Sequence, residues 1–436
     1  MATTPRLDPR TAEHVARQAF APSARRLVGL EVEWVVHPVD DPGRRPAYAE
    51  LAALAELACR FDGRVTLEPG GQVELSTAAV ADLDDALDRL AQEADVVHAA
   101  LAQRGLLGVD TPVDLVRAPG RVLDLGRYRA MEAFFDAGGP SGRWMMCNTA
   151  SVQVNLGHGA DPAGGWRLAH LLAPVLVAVF ASSPGHDAAG RPWASLRRAA
   201  WEGMDPGRTR SPRLEGDPAR AWLDYVLDAD VMLVRDGEDV TPVAPGLSFR
   251  EWTAGALHRP PTPDDLAYHA TTLFPPVRPR GWLEVRVLDA LPPEVREVAA
   301  VVTAAALHPD AAAAVRAALA TTGLDEGADV DALLLRAARS GLADPDLHAH
   351  AAALFDVAQR YAPHVTRRAA RLRALRDYAR ENVAAARQPH GRTLADALAI
   401  AGPRLQPDVG PPPGGVTRTS RAACAADLAA APAPAP

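Results

Sequence analysis

The chain has 436 residues, of which 48% are hydrophobic and 23% charged, and its formal net charge is −8. This composition predicts a soluble globular protein with a large core, and the acidic balance excludes a generic nucleic-acid binder, which needs a basic surface against phosphates. The sequence contains no lysine, so all 46 basic residues are arginine. Schiff-base lysine chemistry and a Walker-type phosphate loop are therefore excluded.

Cysteine placement and hydropathy indicate the compartment. The cysteines are Cys59, Cys147 and Cys424. They are far apart and form no CxxC pair, so we expect free thiols in a reducing cytoplasm. Residues 1–20 lack the continuous apolar run of a secretory signal. The most apolar run, 171–181, is too short to span a bilayer and contains a proline, so we interpret it as part of a buried helix over 166–183 and expect no membrane partner.

The first predicted strand carries two glutamates on one face. A short amphipathic helix is predicted over residues 9–20, and a strand containing LVGLEVEWVV follows over 26–36. Alternate side chains of a strand share a face, so Glu31 and Glu33 point together, away from the apolar residues beside them. This strand is therefore expected to have one apolar face and one acidic face.

A second pair of acids lies in a predicted hairpin. Helical periodicity covers residues 48–61, and VTLEPGGQVELS follows at 65–76. The Pro-Gly-Gly turn at 69–71 is typical of a hairpin because glycine adopts the positive φ angles of tight turns. The hairpin would hold Glu68 and Glu74 near its closed end.

The middle of the chain alternates helices with a polar strand. Helices are predicted over 82–105, which ends at a glycine, and over 127–135. The segment CNTASVQVNL at 147–156 repeats the strand pattern and places Gln153 and Asn155 on one face. These two amides could supply neutral oxygen ligands or substrate hydrogen bonds, or they could be ordinary polar strand residues.

An arginine-rich segment follows the apolar helix. SLRRAAW at 195–201 is predicted to be helical, which puts Arg197 and Trp201 on one face at i and i+4. This pair could clamp a substrate carboxylate, or it could be plain surface packing. Arg208, in the turn DPGRT, could meet a phosphate or cap the next segment.

The last predicted strand pairs an acid with a base. A helix is predicted around 264–274, and WLEVRVL at 282–288 places Glu284 and Arg286 on one face. This pair suits phosphoryl transfer, in which metal and guanidinium neutralise the charge of the moving group. A plain ion pair on the sheet is the alternative.

The rest of the chain is predicted to be helical. From residue 294 to about 388 the sequence is rich in alanine and arginine, and its arginine run at 366–380 has the spacing of a solvated helix face rather than of a nucleic-acid site. Residues 402–436 are dominated by proline, glycine and alanine and are expected to be disordered. We therefore predict a single catalytic domain over 1–388, with its motifs in 25–300, followed by a tail.

The acids of these segments suggest a metal site. They are Glu31, Glu33, Glu68, Glu74 and Glu284, which we call the acidic cluster. Like charges so close raise one another's pKa unless cations intervene, and Mg²⁺ or Mn²⁺ fits best because hard cations take oxygen ligands. The alternative is the solvated face of an antiparallel sheet, which recurrence on several strands disfavours.

These motifs together resemble the glutamate–cysteine ligases of the second type, above all the actinobacterial enzymes of ergothioneine biosynthesis. The motifs occur in order as GLEVEW, LEPGGQVELS, RYRAM, MMCNTASVQVNLG, SLRRAAW with DPGRT, and PPVRPRGWLEVRVLDALP. The resemblance implies an α+β, glutamine-synthetase-like fold in which a curved antiparallel sheet forms a funnel with helices behind it. It also implies ATP-dependent ligation of the glutamate γ-carboxylate to the cysteine amine through a γ-glutamyl phosphate.

The resemblance also assigns roles to residues. The acidic cluster takes the metal-ligand role for Mg²⁺ or Mn²⁺, and Glu284 and Arg286 are catalytic. Arg197 and Trp201 bind glutamate, with Gln153 and Asn155 as further substrate contacts. Arg286 and Arg208 contact ATP.

Two alternatives remain at this point, and the sequence disfavours a third. A related carboxylate–amine ligase could use another amine, and a non-catalytic relative could retain glutamate or nucleotide binding. A metal-dependent hydrolase would need histidine-rich ligands or a water-activating pair, which the sequence does not offer. The expected partners are therefore small molecules, namely L-glutamate, L-cysteine and ATP.

Overall fold

The computed structural model describes residues 6–23, 25–237, 239–389 and 395–396. The strands are β1 (Val28–Pro38), β2 (Arg64–Leu67), β3 (Val73–Ser76), β4 (Leu106–Val109), β5 (Ser151–Gly157), β6 (Gly185–His186), β7 (Pro192–Trp193), β8 (Leu233–Asp236), β9 (Asp239–Pro242), β10 (Val277–Pro279) and β11 (Trp282–Asp289). The helices are α1 (Pro9–Gln18), α2 (Tyr48–Leu51), α3 (Leu83–Ala102), α4 (Gly126–Asp136), α5 (Ser141–Asn148), α6 (Pro162–Phe180), α7 (Leu196–Glu202), α8 (Pro206–Thr209), α9 (Pro218–Asp228), α10 (Phe249–Thr253), α11 (Pro263–Ala270), α12 (Pro293–Ala306), α13 (Ala312–Thr321), α14 (Val330–Ser340), α15 (Pro345–Tyr361) and α16 (Ala369–Tyr378).

The predicted strands form one antiparallel sheet. Its order is β10-β11-β5-β1-β3-β2, and β4 pairs with the C-terminal half of β1. The four acidic or polar segments therefore lie side by side, with β1 between β5 and β3. Mixed helix and sheet with an antiparallel sheet is the architecture that the sequence predicted.

One face of the sheet is buried beneath helices. Leu30, Val32 and Trp34 of β1 are almost completely buried, as the alternating pattern predicted. Helices α3, α6 and α12 pack against the strands. Although α6 is long and apolar enough to cross a membrane, most of it is buried inside the protein, where it forms part of the core. The helices thus cover the apolar face of the sheet, and the acidic cluster belongs to the opposite face.

The structure differs from the local predictions at three places. The helix expected over 48–61 is only α2 and a following 3-10 turn, Ala52–Leu54, and beyond it the backbone N–H of Phe61 donates to Glu93 (2.9 Å). The strand expected from Cys147 begins at Ser151, because the preceding residues complete α5. Helix α9 lies in a stretch for which the sequence analysis predicted no element.

One apolar core extends through the described chain. Its buried members run from Leu7 in the N-terminal segment to Val383 after α16, and they include both the sheet and the C-terminal helices. The division into a single catalytic domain over 1–388 stays a prediction, with which this continuous core agrees. The expected disordered tail, 402–436, lies outside the described residues.

A buried carboxylate of α3 binds the segment around the start of α16. Asp84, in the first turn of α3, accepts hydrogen bonds from the Thr366 hydroxyl (2.6 Å), the Arg367 backbone N–H (2.9 Å) and the Arg371 guanidinium (2.7 Å). Burial would raise the pKa of Asp84, but these donors together outweigh it and hold the pKa below its usual value. The ionised carboxylate is therefore part of the native structure.

Replacing Asp84 by Asn should lower the free energy of unfolding by about 2–3 kcal/mol, because a charge-assisted network loses its anion. Since the folded pKa is depressed, the advantage of the wild type should be complete above the unfolded pKa, near 4, and disappear as pH falls through the folded pKa. Urea unfolding of both proteins between pH 7 and pH 3 measures this. The exposed Asp95→Asn is the control, and an equal loss in both variants would contradict the role of Asp84.

Candidate functional site

Sheet register brings the acids of three strands together. Glu33 of β1 lies directly opposite Glu74 of β3, and Glu31 lies opposite Gln153 of β5. Glu68 follows β2 at the hairpin turn, where the Gly71 backbone N–H donates to its carbonyl (2.8 Å) and Gly71 has φ +86°. The hairpin prediction is thereby confirmed.

Four of the clustered carboxylates have raised pKa values. Burial, followed by repulsion from Glu74 and Glu284, raises the pKa of Glu31 to about 8. Burial and Glu33 raise the pKa of Glu74 to about 7. Burial is also the main cause that raises the pKa of Glu33 and, far more strongly, that of Glu68. This part of the protein therefore concentrates negative charge in a medium that stabilises it poorly.

Neighbouring polar side chains fix these carboxylates. Glu74 accepts hydrogen bonds from the hydroxyls of Thr66 (2.9 Å) and Ser76 (3.2 Å). Asn155 donates its amide to Glu31 (2.9 Å). The acids are therefore held in position, and Asn155 acts on Glu31 from the adjacent strand.

Glu284 has a different environment. Arg278 donates to both of its oxygens (2.5 and 3.1 Å), Arg286 lies 3.0 Å away and Arg280 lies 3.4 Å away. Burial alone would raise the pKa of Glu284, but the attraction of these three guanidinium groups is larger and lowers it well below the usual range. Glu284 is thus the one acid of the cluster that arginine already neutralises.

Arg286 is the cation common to the cluster. Its Nη1 donates to Gln153 (2.8 Å), and its charge acts to lower the pKa of every acid of the cluster. Its Nε is buried and has no hydrogen-bond partner among the described residues. A guanidinium with one unused buried donor beside several carboxylates can accept an anionic ligand.

Arg197 and Trp201 form the predicted pair on α7. The guanidinium lies over the indole ring, 4.5 Å from its centroid, and both side chains are buried. Arg197 donates through Nη2 to the carbonyl of Arg286 (3.2 Å), while its Nε has no partner within the described chain. Arg197 and Arg286, each with an unused Nε, are therefore adjacent.

Asp289 links α7 to the last strand of the sheet. This buried carboxylate accepts from the Ser182 backbone N–H and from the hydroxyls of Ser183 and Ser195, each at 2.9 Å. It also lies 3.9 Å from Nη1 of Arg197. Because Ser195 is the N-cap of α7, Asp289 fixes both the start of that helix and the charge partner of Arg197.

Arg208 lies among protein partners. Its guanidinium is fully buried and donates to Thr272 (2.9 Å) and to the carbonyl of Asp230, with an ion pair to Asp205 (3.1 Å) and a contact with the Phe134 ring. These partners favour a structural role for the guanidinium, and the ATP contact of Arg208 stays a prediction.

Sequence reasoning missed Arg278 and Asp289. Arg278 lies opposite Glu284 in the β10–β11 register, and the Arg-Gly pair that turns this hairpin could have revealed it. Asp289 had no such signal, because its serine partners belong to distant segments. Arg127 and Tyr128 were also missed as neighbours of Glu68, to which electrostatic effects connect them.

The residues present fit a hard divalent cation. Several buried carboxylates whose pKa values are raised by burial and mutual repulsion supply oxygen ligands and lack compensating charge. Their ligand atoms do not gather within 4.8 Å in groups of three, a spacing reached among the described residues only at His308, Asp310 and His364. An ion would have to draw the acids closer together.

The chain is similar to known ligases in sequence and in fold. The chain matches the family model for glutamate–cysteine ligase family 2 over residues 27–408. It is 40% identical to glutamate–cysteine ligase EgtA of Mycolicibacterium smegmatis over 366 residues, which cover 81% of this chain and 84% of that one. It is 38% identical to EgtA of Mycobacterium tuberculosis H37Rv over 406 residues, covering 89% and 91%. The solved glutamate–cysteine ligase of Francisella tularensis in complex with AMP has a TM-score of 0.51 at 14% identity, covers 88% of this chain and 86% of its own, and so shows a shared fold.

Proposed function

The chain belongs to glutamate–cysteine ligase family 2, and on that premise we propose that the acidic cluster, Arg286, Arg197 and Trp201 form its active site. The protein is an ATP-dependent ligase that joins L-glutamate to L-cysteine and yields γ-glutamylcysteine, ADP and phosphate. The observation that carries the site assignment is the pair of buried arginine Nε groups, on Arg197 and Arg286, beside carboxylates that lack compensating charge.

We infer that Mg²⁺ or Mn²⁺ binds between Glu31, Glu33, Glu68 and Glu74. Glu284 can join them only if it loosens its bidentate pair with Arg278, so the ion and this arginine compete for the same oxygens. When bound, the metal neutralises phosphate charge that would otherwise be repelled by the carboxylates. Glu284 meanwhile holds Arg286 in place on the neighbouring position of β11.

The arginines bind and orient the substrates. Arg286 directs its unused donor toward the phosphoryl group, where its charge stabilises the transfer of the γ-phosphoryl from ATP to the glutamate γ-carboxylate. Arg197, fixed by Trp201 and Asp289, holds the glutamate α-carboxylate. These two anions then lie on either side of the reacting carboxyl group.

The second step forms the amide bond. The cysteine amine, in its unprotonated form, attacks the γ-carbonyl of the acyl phosphate and forms the C–N bond. The C–O bond to phosphate breaks, and the departing phosphate takes up the proton that the amine loses. Gln153, which accepts from Arg286, keeps that arginine aimed at the departing phosphate. Product release from this site would supply ergothioneine biosynthesis, and we place the reaction in the cytoplasm.

ADP release should depend on glutamate and rise with cysteine. The amine acceptor is tested with the purified protein, ATP, glutamate and a panel of amines, scored for ADP and for the γ-glutamyl product. Cysteine should exceed serine and alanine by at least about 10-fold in kcat/KM, because its thiol supplies binding energy that they lack. A rate of ADP release that does not change with cysteine would contradict cysteine as the acceptor. It would not contradict the activation of the glutamate carboxylate by ATP.

Glu31→Gln should lower kcat/KM by at least about 100-fold at saturating Mg²⁺, because it removes one ligand of the ion. It should also weaken Mn²⁺ binding, measured by electron paramagnetic resonance, while circular dichroism stays unchanged. The matched control is the exposed Glu56→Gln, which should behave as wild type. Unchanged Mn²⁺ affinity in Glu31→Gln would overturn the metal assignment.

Asp289→Asn should raise the glutamate KM by about 10-fold or more and change the ATP KM by no more than about twofold, because Asp289 acts on Arg197. Steady-state kinetics with each substrate varied separately provides the measurement. Asp228→Asn, which disrupts only an exposed ion pair with Arg250, is the control. Equal effects on both KM values would indicate a general loss of structure and would contradict the positioning role.

A further inference from the structure

A group of two histidines and one aspartate lies in the helical part, away from the acidic cluster. His308 and Asp310 belong to the corner between α12 and α13, where His308 is the N-cap of a 3-10 turn. His364 ends the 3-10 turn that follows α15. Two separate segments of the chain therefore contribute to the group.

The spacing of the group matches a tetrahedral ion. Oδ2 of Asp310 lies 3.2 Å from Nδ1 of His364 and 3.6 Å from Nδ1 of His308. One ligand atom from each residue lies within 4.8 Å of the others. Bonds of 2.0–2.1 Å to a tetrahedral ion place ligand atoms about 3.4 Å apart, so small adjustments would close the site.

The chemistry of these ligands selects a transition metal. Two imidazoles and one carboxylate suit Zn²⁺ and its neighbours in the first transition row, whereas the acidic cluster offers only oxygen and favours Mg²⁺ or Mn²⁺. Three protein ligands leave a fourth position open to water. The two sites would therefore bind different ions.

The surroundings allow an ion to enter. The side chains of His364 and Asp310 are 44% and 61% exposed, and that of His308 is 23% exposed. Arg26 lies close enough to His308 for its charge to act against a cation, and the carboxylate of Asp310 offsets that charge. The backbone N–H of Asp310 also donates to His308 Nδ1 over 3.3 Å, a long contact that an ion would replace.

We propose that His308, Asp310 and His364 bind one divalent transition-metal ion of the Zn²⁺ type. The ion joins the α12–α13 corner to the end of α15 and stabilises the C-terminal helices. An ordinary ion pair between His364 and Asp310 would account for one imidazole, but the second imidazole directed at the same carboxylate points to a metal.

Co²⁺ titration of the chelator-treated full chain tests this, with excess Mg²⁺ present to occupy oxygen-only sites. The wild type should gain the intense visible absorption of four-coordinate Co²⁺ with about one equivalent bound. His364→Gln and His308→Gln should each lose it, and the exposed His14→Gln should retain it. Identical spectra in wild type and both site variants would overturn the proposal.

A second measurement keeps the test independent of spectra and of ligase activity. Zn²⁺ should raise the Tm of the wild type and of His14→Gln by several degrees, because it binds the folded state. It should leave the Tm of the His308→Gln/His364→Gln double variant unchanged. An equal shift in all three proteins would show adventitious binding and refute the site.

Discussion

Carboxylates crowded onto the polar face of one sheet are the constraint on which the rest of the structure depends. Glu33 faces Glu74 across a strand pair, and burial raises the pKa of both. Such a face is stable as an ionised surface only where positive charge is close. The acids without a close cation are the ones that we propose as metal ligands.

The arginines near this face differ in how many of their hydrogen-bond donors already have a protein partner. Arg278 donates through Nε and Nη2 to Glu284 and through Nη1 to the carbonyl of Leu273, whereas Arg286 and Arg197 each retain a buried donor. The chain contains no lysine, so the arginines near the sheet differ only in the partners that surround each guanidinium. A planar guanidinium that is fixed on one edge still presents another edge to a ligand.

The helices behind the sheet position the site indirectly. The C-terminal end of α6 brings Ser182 and Ser183 to Asp289, which in turn sets the start of α7. Arg197 thus depends on the apolar core as well as on its own helix.

The sequence alone determined the period-two strands, the Pro-Gly-Gly hairpin and the acids Glu31, Glu33, Glu68 and Glu74, because alternation and turn chemistry are local properties. It also predicted the Arg197–Trp201 pair, since i and i+4 share a helix face. Only the tertiary structure showed the partners of Arg208 and Asp289. Their hydrogen-bond partners come from distant segments of the chain. The side chains and carbonyls of those segments decide whether a guanidinium keeps an unused donor.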